Sequence, residues 1–171
     1  MQTLGLDIST SKVGLVILDE LHTLIHAEAI CIKKMKSFHD KATHVKNSLK
    51  RIRADYDISC IAIEQNLQAF RPGFSSAKTL FTLARFNGVV TYLLQEEFGP
   101  EVSEINVNHA RKLVGLKIDR KSKEPTKEQV LKWVSAKDLG GFSWPEKTIS
   151  RGTRKGLVIP AEECYDIADA Y

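Results

Sequence analysis

The carboxylate of Asp7 stands in an apolar stretch near the start of the chain. In the run Thr3–Ile8, apolar side chains alternate with polar or small ones, and this period of two predicts a strand with one apolar face. A charge on such a strand is costly to desolvate unless a partner compensates it. We interpret Asp7 as the first ligand of a divalent-metal site. For Asp7 alone, an acid that ends a strand and hydrogen-bonds the turn Ser9–Ser11 is an equally good interpretation.

Three further acids, Glu64, Asp166 and Asp169, would complete this metal site. Glu64 ends the β-prone run Ile58–Ile63, and because neighbouring strands lie only about 4.8 Å apart, carboxylates at two strand ends can share one cation. Asp166 and Asp169 are three residues apart, so they project from one face of a predicted final helix, where their charges repel unless a cation joins them. Taken alone, Glu64 could equally be an ordinary surface residue at a strand end. The Asp-x-x-Asp pair alone could equally be a solvent-exposed acidic face of a helix, since this spacing is common.

The composition predicts one globular domain over residues 1–171, with 43% hydrophobic and 27% charged residues. No apolar run approaches the roughly 18 residues of a membrane span, and the N-terminus lacks the pattern of a signal peptide. We therefore expect a cytoplasmic protein, in a bacterium or, for a viral protein, in its host. The scattered Cys31, Cys60 and Cys164 lack CxxC spacing, so neither a disulfide framework nor a zinc site is indicated.

Positive charge is concentrated in one part of the chain. Residues 110–159 contain 13 Lys or Arg against 5 Asp or Glu, whereas the remainder contains 12 against 16. A basic surface beside an acidic site suits a protein that holds a polyanion while metal ions lie among carboxylates. A plain solvated loop accounts for such a run about as often. The candidate contacts to nucleic acid in this segment are Arg111, Lys112, Lys117, Arg120, Lys121, Lys123, Arg151, Arg154 and Lys155.

Apolar periodicity predicts the elements that must position these residues in the N-terminal half. Strands at 3–8, 13–18 and 22–32, joined by tight turns, predict an antiparallel meander. Apolar residues at helical spacing predict an amphipathic helix over 37–53. The strand at 58–63 follows this helical crossover, so it is expected to lie parallel to the first strand.

The longest predicted helix runs from Ser75 to Phe98 and is capped by Ser75 or Ser76. Its apolar residues cover more than one stripe, so it needs a second surface to pack on. We favour a twofold homodimer through this helix; a central helix in a monomer is the alternative. The preceding loop contains Phe70 and Arg71, an unusual place for an aromatic residue if nothing binds there.

The C-terminal half alternates short elements with charged loops. A strand is predicted over 102–107, and Asn108 is expected to cap a helix that extends to Val114. The run Lys117–Pro125 reads as a charged loop.

The segment from Thr126 onward is expected to begin and end in helices. Thr126 is predicted to cap a helix that Gly140-Gly141 would end. Residues 142–156 are expected to be irregular, and Pro160 suits the first turn of the final helix.

Several short motifs occur in a definite order along the chain. They are Leu4-Gly5-Leu6-Asp7, Val13-Gly14, Ile61-Ala62-Ile63-Glu64-Gln65 and Asp166-Ile167-Ala168-Asp169-Ala170. With these motifs, the chain resembles the RuvC-type Holliday junction resolvases over nearly its whole length. The segment Ala84–Gly88 resembles the family's dimer helix, and Ala110–Gly115 with Lys127–Val130 resembles its junction-binding basic segment. Each motif is weak alone, but their order and spacing make a fairly specific signal.

This resemblance implies a ribonuclease H-like α/β fold, a mixed five-stranded sheet with helices on both faces. It also implies that Asp7, Glu64, Asp166 and Asp169 are the metal ligands. Together with Lys127, which would lie beside the scissile phosphate, they would form the catalytic set.

The sequence departs from the family pattern at two positions. Ser9 stands two residues after the first acid, where the family usually has Gly, and Leu67 stands three residues after Glu64, where an aromatic is usual. Leu67 or the nearby Phe70 would then be the residue that wedges into the junction centre.

The activity implied is that of a crossover junction endodeoxyribonuclease in DNA recombination and repair, a homodimer that cuts opposing strands of a four-way junction symmetrically. Two Mg²⁺ or Mn²⁺ ions about 4 Å apart would stabilise the charge that develops during phosphodiester hydrolysis. Crowded carboxylates have raised pKa values before metal binds. Cleavage is therefore expected to need Mg²⁺ or Mn²⁺ and to rise with pH through the neutral range.

The sequence is also compatible with two other functions. The first is a related ribonuclease H-like nuclease that acts on flaps, forks, RNA or RNA–DNA hybrids, and the second is a non-catalytic module that binds junctions. Ribonuclease H proper takes its second acid from a helix, whereas Glu64 ends a strand, which favours the resolvase arrangement. The turn Asp7–Thr10 also resembles the phosphate loop of sugar kinases and actin-like ATPases, but these need a second domain, for which 171 residues leave no room.

Overall fold

The fold is built around a five-stranded sheet in the computed structural model of the protein, which describes residues 1–65, 76–137 and 139–171. The strands are β1 (Gln2–Ile8), β2 (Lys12–Leu18), β3 (Leu24–Cys31), β4 (Ile58–Glu64) and β5 (Val102–Ile105). They lie in the order β3-β2-β1-β4-β5. The first three form an antiparallel meander, β4 is parallel to β1, and β5 is parallel to β4. The predicted mixed sheet is therefore confirmed.

Two long helices, α1 (Phe38–Asp55) and α2 (Ala77–Phe98), cover one face of the sheet. Ser37 and Ser76 cap them, since each Oγ accepts the backbone N–H three residues further on, at 2.9 and 3.1 Å. Ser75, the other predicted cap of α2, lies outside the described residues. The core between these helices and the sheet includes Leu4, Leu15 and Phe86, all fully buried.

On the other face, α5 (Glu163–Ala170) packs against β1, β2 and β3, and α4 (Thr126–Ser135) packs on α5; with the short α3 (Val107–Leu113) they complete the helices of the described residues. On β2, Leu15 and Ile17 face α1 and α2, whereas Val16 packs in the second core with Ile167 of α5. β2 is thus buried on both faces, as its continuous apolar run predicts. None of the helices in the described ranges has both the length and the apolar character that a membrane span requires.

The start of α3 differs from the sequence-based expectation. β5 ends at Ile105, and Asn106 rather than Asn108 is the N-cap. The reason is that Asn106 Oδ1 accepts the backbone N–H groups of Asn108 and His109 at 3.1 and 3.2 Å. Two candidate capping residues stand two positions apart, and the end of the strand selects the first.

The prediction for α4 was also wrong at both ends. Pro125 holds the N-cap position, so Thr126 is the first helical residue rather than the cap. The helix ends at Ser135, with Ala136 as its C-cap, before the glycine pair that was expected to stop it. Proline suits this position because its missing N–H is not needed before the first turn.

A short β-hairpin interrupts the segment predicted to be irregular over residues 142–156, of which only Glu146–Thr148 is a strand. β6 (Glu146–Thr148) pairs antiparallel with β7 (Val158–Pro160). Pro160 therefore ends a strand instead of starting the last helix, and α5 begins at Glu163. A two-stranded ribbon tolerates Pro160 because both of its strands are edges.

Candidate active site

Asp7 and Glu64 lie side by side at one edge of the sheet. β1 and β4 are parallel neighbours, and their register pairs Leu6 with Ile63. The next residue of each strand is the acid, so the two carboxylates stand at the same end of the strand pair. The structure thus places the two strand-end acids of the predicted site together.

Two glycines let α5 lie directly on β1 and β2. Gly14 is the cross-strand partner of Asp7, and a Cβ atom at Gly14 would overlap the backbone carbonyl of Asp166. A Cβ atom at Gly5 would likewise overlap the carbonyl oxygen of Ala170. A residue larger than glycine would prevent this approach. The two glycines therefore determine how closely the acids of α5 approach the acid of β1.

One cleft of about 540 Å³ contains all four predicted metal ligands. It is lined by Asp7 from β1, Glu64 from β4, and Asp166 and Asp169 from α5, with Lys127 from the start of α4. Folding thus brings together the five residues to which the resemblance assigns catalysis, from four separate elements. Their catalytic roles stay predictions.

Cations of the protein pair with both acids of α5. Lys12 Nζ lies 3.3 Å from Asp166 Oδ2, and Lys127 Nζ lies 3.6 Å from Asp169 Oδ2. Arg111 lies 4.0 Å from the other carboxylate oxygen of Asp169. Across residues 1–65, 76–137 and 139–171, neither strand acid has a salt-bridge partner. Within the described residues, direct ion pairs are therefore made by the helix acids, whereas Lys127 and Arg111 act on the strand acids only from a greater distance.

Burial and crowding raise the pKa values of three of these acids. Desolvation, reinforced by the charges of Asp169 and Glu64, raises the pKa of Asp7 from 3.8 to about 7. Desolvation by the surrounding protein and repulsion from Asp169 also raise the pKa of Glu64, although that residue is exposed at the end of its strand. For Asp169, the effect of burial outweighs the opposing effects of Lys127 and Arg111, so its pKa is also raised. Asp7 thus titrates near neutral pH.

The donor chemistry of the cleft fits a divalent ion. Carboxylate oxygens are the ligands that Mg²⁺ and Mn²⁺ prefer, and the four acids supply up to eight of them. As the side chains lie, no three Asp, Glu, His or Cys residues in the described ranges converge closely enough to hold an ion. Asp166 is paired with Lys12, and Asp169 with Lys127 and Arg111. Metal dependence stays a prediction.

A basic groove adjoins the cleft. It occupies about 300 Å³ along α3 and the loop after it and is lined by four of the predicted DNA-binding residues, Arg111, Lys112, Lys117 and Arg120. We call it the α3 groove. Arg111 lines both the groove and the cleft, so the two are continuous. Lys121 and Lys123 follow in the same loop and are exposed.

The remaining predicted DNA-binding residues lie in two other places. Arg151, Arg154 and Lys155 are exposed in the turn that joins β6 to β7. Leu67, Phe70 and Arg71, the candidates for the junction wedge and its neighbour, lie outside the described residues.

Sequence reasoning missed Lys12, whose local signal is only that of a turn lysine. Its partner Glu162 is 150 residues away in sequence, so only the folded chain shows the pair. The signal that was available is Gly14, because a glycine within an apolar strand indicates a close backbone approach. Asn87 of α2 was also missed: it is 4% exposed and lines the cleft.

Comparison with known proteins identifies the fold. No protein-family model matches the sequence, and no curated protein is significantly similar to it. Among solved structures, T. thermophilus RuvC in complex with a Holliday junction substrate matches with a TM-score of 0.60 and 14% identity, over 99% of this chain and 91% of that chain. The chain has the RuvC fold. The ribonuclease H-like architecture that the sequence resemblance implied is thereby confirmed.

Two further structures give the same result. A second T. thermophilus RuvC structure matches with a TM-score of 0.60 and 15% identity, over 99% of this chain and 92% of that chain. The yeast mitochondrial Holliday junction resolvase Ydc2 matches with a TM-score of 0.52 and 13% identity, over 98% of this chain and 73% of that chain. At this level of identity the fold is shared, and the activity has to be inferred from the site.

Proposed function

We propose that this protein is a metal-dependent endonuclease that resolves four-way DNA junctions. The observation that supports this best is the cleft, in which four acids from β1, β4 and α5 lie beside Lys127 and Arg111. The same fold occurs in T. thermophilus RuvC, whose structure holds a Holliday junction substrate. The proposed location is the cytoplasm, bacterial or, for a viral protein, that of the host.

The cleft contains the groups that phosphodiester hydrolysis requires. Asp7, Glu64, Asp166 and Asp169 would hold Mg²⁺ or Mn²⁺, which when bound stabilises the charge on the attacking and leaving oxygens. Lys127 is 60% exposed at the start of α4, and its ammonium group can turn from Asp169 to a phosphate oxygen of the bound strand. Asp7 acts as a ligand only when ionised, so its raised pKa limits the reaction below neutral pH.

The α3 groove supplies a surface for the arms of the junction. It begins at Arg111 in the cleft and continues past Lys112, Lys117 and Arg120. A duplex arm that leaves the cleft along this groove would place successive phosphates against these cations. Neutralising phosphates releases counterions, so binding is expected to weaken as salt rises.

The exposed side of α2 supports a homodimer. Phe81 and Tyr92 are 71% and 59% exposed, and they lie about three helical turns apart with Gly88 between them. A Cβ atom at Gly88 would meet nothing within 4 Å, although glycine in a helix interior costs about 1 kcal/mol relative to alanine. The described chain thus contains no contact that requires this glycine. A second copy of α2 packed on this stripe would use it, and two clefts related by a twofold axis would cut opposing strands.

A cleavage panel tests this function. The substrates are a four-way junction, a fork, a flap, a plain duplex and an RNA–DNA hybrid, each with Mg²⁺ and with EDTA. We expect symmetric nicks in the junction with Mg²⁺ only, and a loss of about 100-fold or more in rate for Asp7→Asn. Asp57→Asn is the matched control, because Asp57 is exposed just before β4, at the far end of the strand that carries Glu64.

The other outcomes separate the alternative functions. Preference for the hybrid or the flap would identify a related ribonuclease H-like nuclease with a different substrate. Tight junction binding with no Mg²⁺-dependent cutting would identify a non-catalytic binding module. Full cleavage in EDTA would rule out the metal-dependent mechanism.

A further inference from the structure

Lys12 lies between Asp166 of α5 and Glu162, the N-cap residue of that helix. Its Nζ lies 3.3 Å from Asp166 Oδ2 and 3.3 Å from Glu162 Oε2. The side chains of Lys12 and Asp166 are only 13% and 14% exposed, whereas that of Glu162 is 75% exposed. Water and salt screen an enclosed pair much less than a surface pair. The contact of Lys12 with Asp166 is therefore a strong one, and Glu162 adds a weaker anchor from the solvent side.

Lys12 is held both at its backbone and at its ammonium group. Ser9 Oγ accepts the backbone N–H of Lys12 at 3.0 Å and donates to the carbonyl oxygen of Lys12 at 2.8 Å. The turn before β2 therefore holds the backbone, while the two acids hold the tip. Lys12 is therefore held by contacts along its whole length.

The lysine that pairs with Asp169, the other acid of α5, is much more exposed than Lys12. Lys127 is 60% exposed and lies 3.6 Å from Asp169, which is 15% exposed. An exposed lysine at that distance can leave its partner when a substrate phosphate or a metal ion arrives. Lys12 has no such freedom, because turning away from Asp166 would bury an uncompensated carboxylate.

We propose that Lys12 takes the place of a second divalent ion beside Asp166, so that each cleft binds one Mg²⁺ or Mn²⁺ rather than two. The inference rests on the proposed function and refines it. A divalent ion that used Asp166 would have to displace the Lys12 ammonium group or lie against it, and like charges a few ångströms apart repel strongly where little water screens them. The one ion would then be held on the strand side of the cleft, by Asp7 and Glu64.

This assignment gives Lys12 a positioning role. Its ammonium group keeps Asp166 in place and contributes positive charge to the cleft, but it cannot bind and ionise a water molecule as a metal ion does. Activation of the attacking water would therefore fall to the single ion beside Asp7.

The number of bound ions tests the proposal without any measurement of cleavage. Isothermal titration with Mn²⁺, checked by the electron paramagnetic resonance signal of free Mn²⁺, is made on the full chain at pH 8. We expect one ion per chain for the wild type and two for Lys12→Gln. Lys12→Arg keeps the charge and is expected to bind one ion. Lys50→Gln, at an exposed position on α1, is the matched control and is also expected to bind one.

The outcomes distinguish failure of this inference from failure of the proposed function. Two ions per wild-type chain, or one ion for a folded Lys12→Gln, would overturn the role of Lys12. No Mn²⁺ binding by any variant would overturn metal-dependent cleavage and this inference with it. The expected stoichiometries without junction cleavage would overturn the proposed activity and leave the assignment of Lys12 intact.

Thermal unfolding provides a second measurement, because Lys12→Gln leaves Asp166 enclosed without a partner. A ligand that binds only the native state raises Tm, and a second bound ion raises it further. Mn²⁺ is therefore expected to raise the Tm of Lys12→Gln more than that of the wild type, and equal increases would overturn the proposal. If Lys12→Gln does not fold, the wild-type stoichiometry still decides the question.

Discussion

The backbone of Asp166 rests directly on Gly14, which pairs across the sheet with Asp7. A Cβ atom at residue 14 would overlap the carbonyl group of Asp166, so the helix can lie this close only because residue 14 has no side chain. The same contact links the two ends of the chain. A strand near the N-terminus and a helix near the C-terminus thereby bring their acids to one cleft.

Replacement of this glycine is expected to damage the fold and the site together. Gly14→Ala introduces a methyl group where backbone atoms of α5 already lie, so the helix must shift; overpacking of this kind costs about 1–3 kcal/mol in unfolding free energy. Urea denaturation measures the loss. The control is Thr43→Ala, at an exposed position on α1, which should change the unfolding free energy by no more than about 0.5 kcal/mol. An unfolding free energy for Gly14→Ala equal to that of the wild type would contradict the close packing of α5 on Gly14.

The rate of cleavage is expected to rise with pH between about 6 and 8. Desolvation and neighbouring acids raise the pKa of Asp7 to about 7, so below that pH most molecules carry a protonated Asp7 that cannot bind a cation. Bound Mg²⁺ favours the ionised form, so the midpoint should move to lower pH as Mg²⁺ is increased. Single-turnover rates measured at several Mg²⁺ concentrations provide the check. A midpoint that does not depend on Mg²⁺ would assign the titration to another group.

Without metal, the same carboxylate is expected to destabilise the folded protein above neutral pH. The folded state binds a proton at Asp7 up to about pH 7, whereas an unfolded Asp loses it near 3.8, so the unfolding free energy falls as pH rises through this window. The shift corresponds to at most about 4 kcal/mol. In EDTA, Asp7→Asn should therefore be more stable than the wild type at pH 8, and the gain should shrink toward pH 4. Thermal melts across this range, with Asp57→Asn as the control, measure it.

The hairpin turn is expected to contribute to DNA affinity through charge. Replacing Arg151, Arg154 and Lys155 with Gln removes three exposed cations. If all three contact phosphates, affinity for the junction falls and the slope of log K against log salt is reduced by up to about 2.7. Binding titrations at several salt concentrations measure both quantities.

A second triple variant controls for the change in net charge. Lys34, Lys36 and Lys50 are also exposed, and replacing them with Gln removes the same charge from the α1 side of the molecule. This variant should leave the salt slope unchanged. Equal effects of the two triples would mean that the hairpin turn makes no specific contact.

The proposed dimer predicts that charge on the exposed stripe of α2 separates the protomers. Phe81→Asp places a carboxylate at a position that is 71% exposed in the single chain, so the monomer should remain folded. Sedimentation velocity should then show a dimer for the wild type and a monomer for the variant. Thr43→Asp, at an exposed position on α1, is the control. A wild-type monomer at high concentration would exclude the homodimer.

Local patterns in the sequence were sufficient to predict much of the sheet and the order of the acids. The alternation around Asp7, the apolar run of β2 and the β-prone run before Glu64 are properties of neighbouring residues, and period-two patterns report burial directly. The spacing of Asp166 and Asp169 places both on one helix face whatever the rest of the fold. These predictions depend only on the order of residues along the chain and on the spacing of their side chains.

Helix ends and the hairpin were harder to predict, because competing local signals are nearly equal in free energy. Asn106 and Asn108 are both good caps, and the end of β5 decides between them. Pro160 is compatible with a first helical turn and with an edge strand, and pairing with Glu146 selects the strand. Tertiary context decides such cases, because the local free energies of two competing caps differ by only about 1 kcal/mol.

The chain alone thus specified a mixed sheet with an acid at the end of each of two strands and two acids on one face of a helix. Gly14 indicated a close backbone approach, but no local pattern showed that Lys12 pairs with Asp166 while Asp7 makes no direct ion pair within the described residues. These are contacts between residues about 150 positions apart, and their strength depends on how far folding removes the charges from water. Desolvation is a property of the packed molecule, so the charge balance of the cleft emerges only when α5 lies on Gly14.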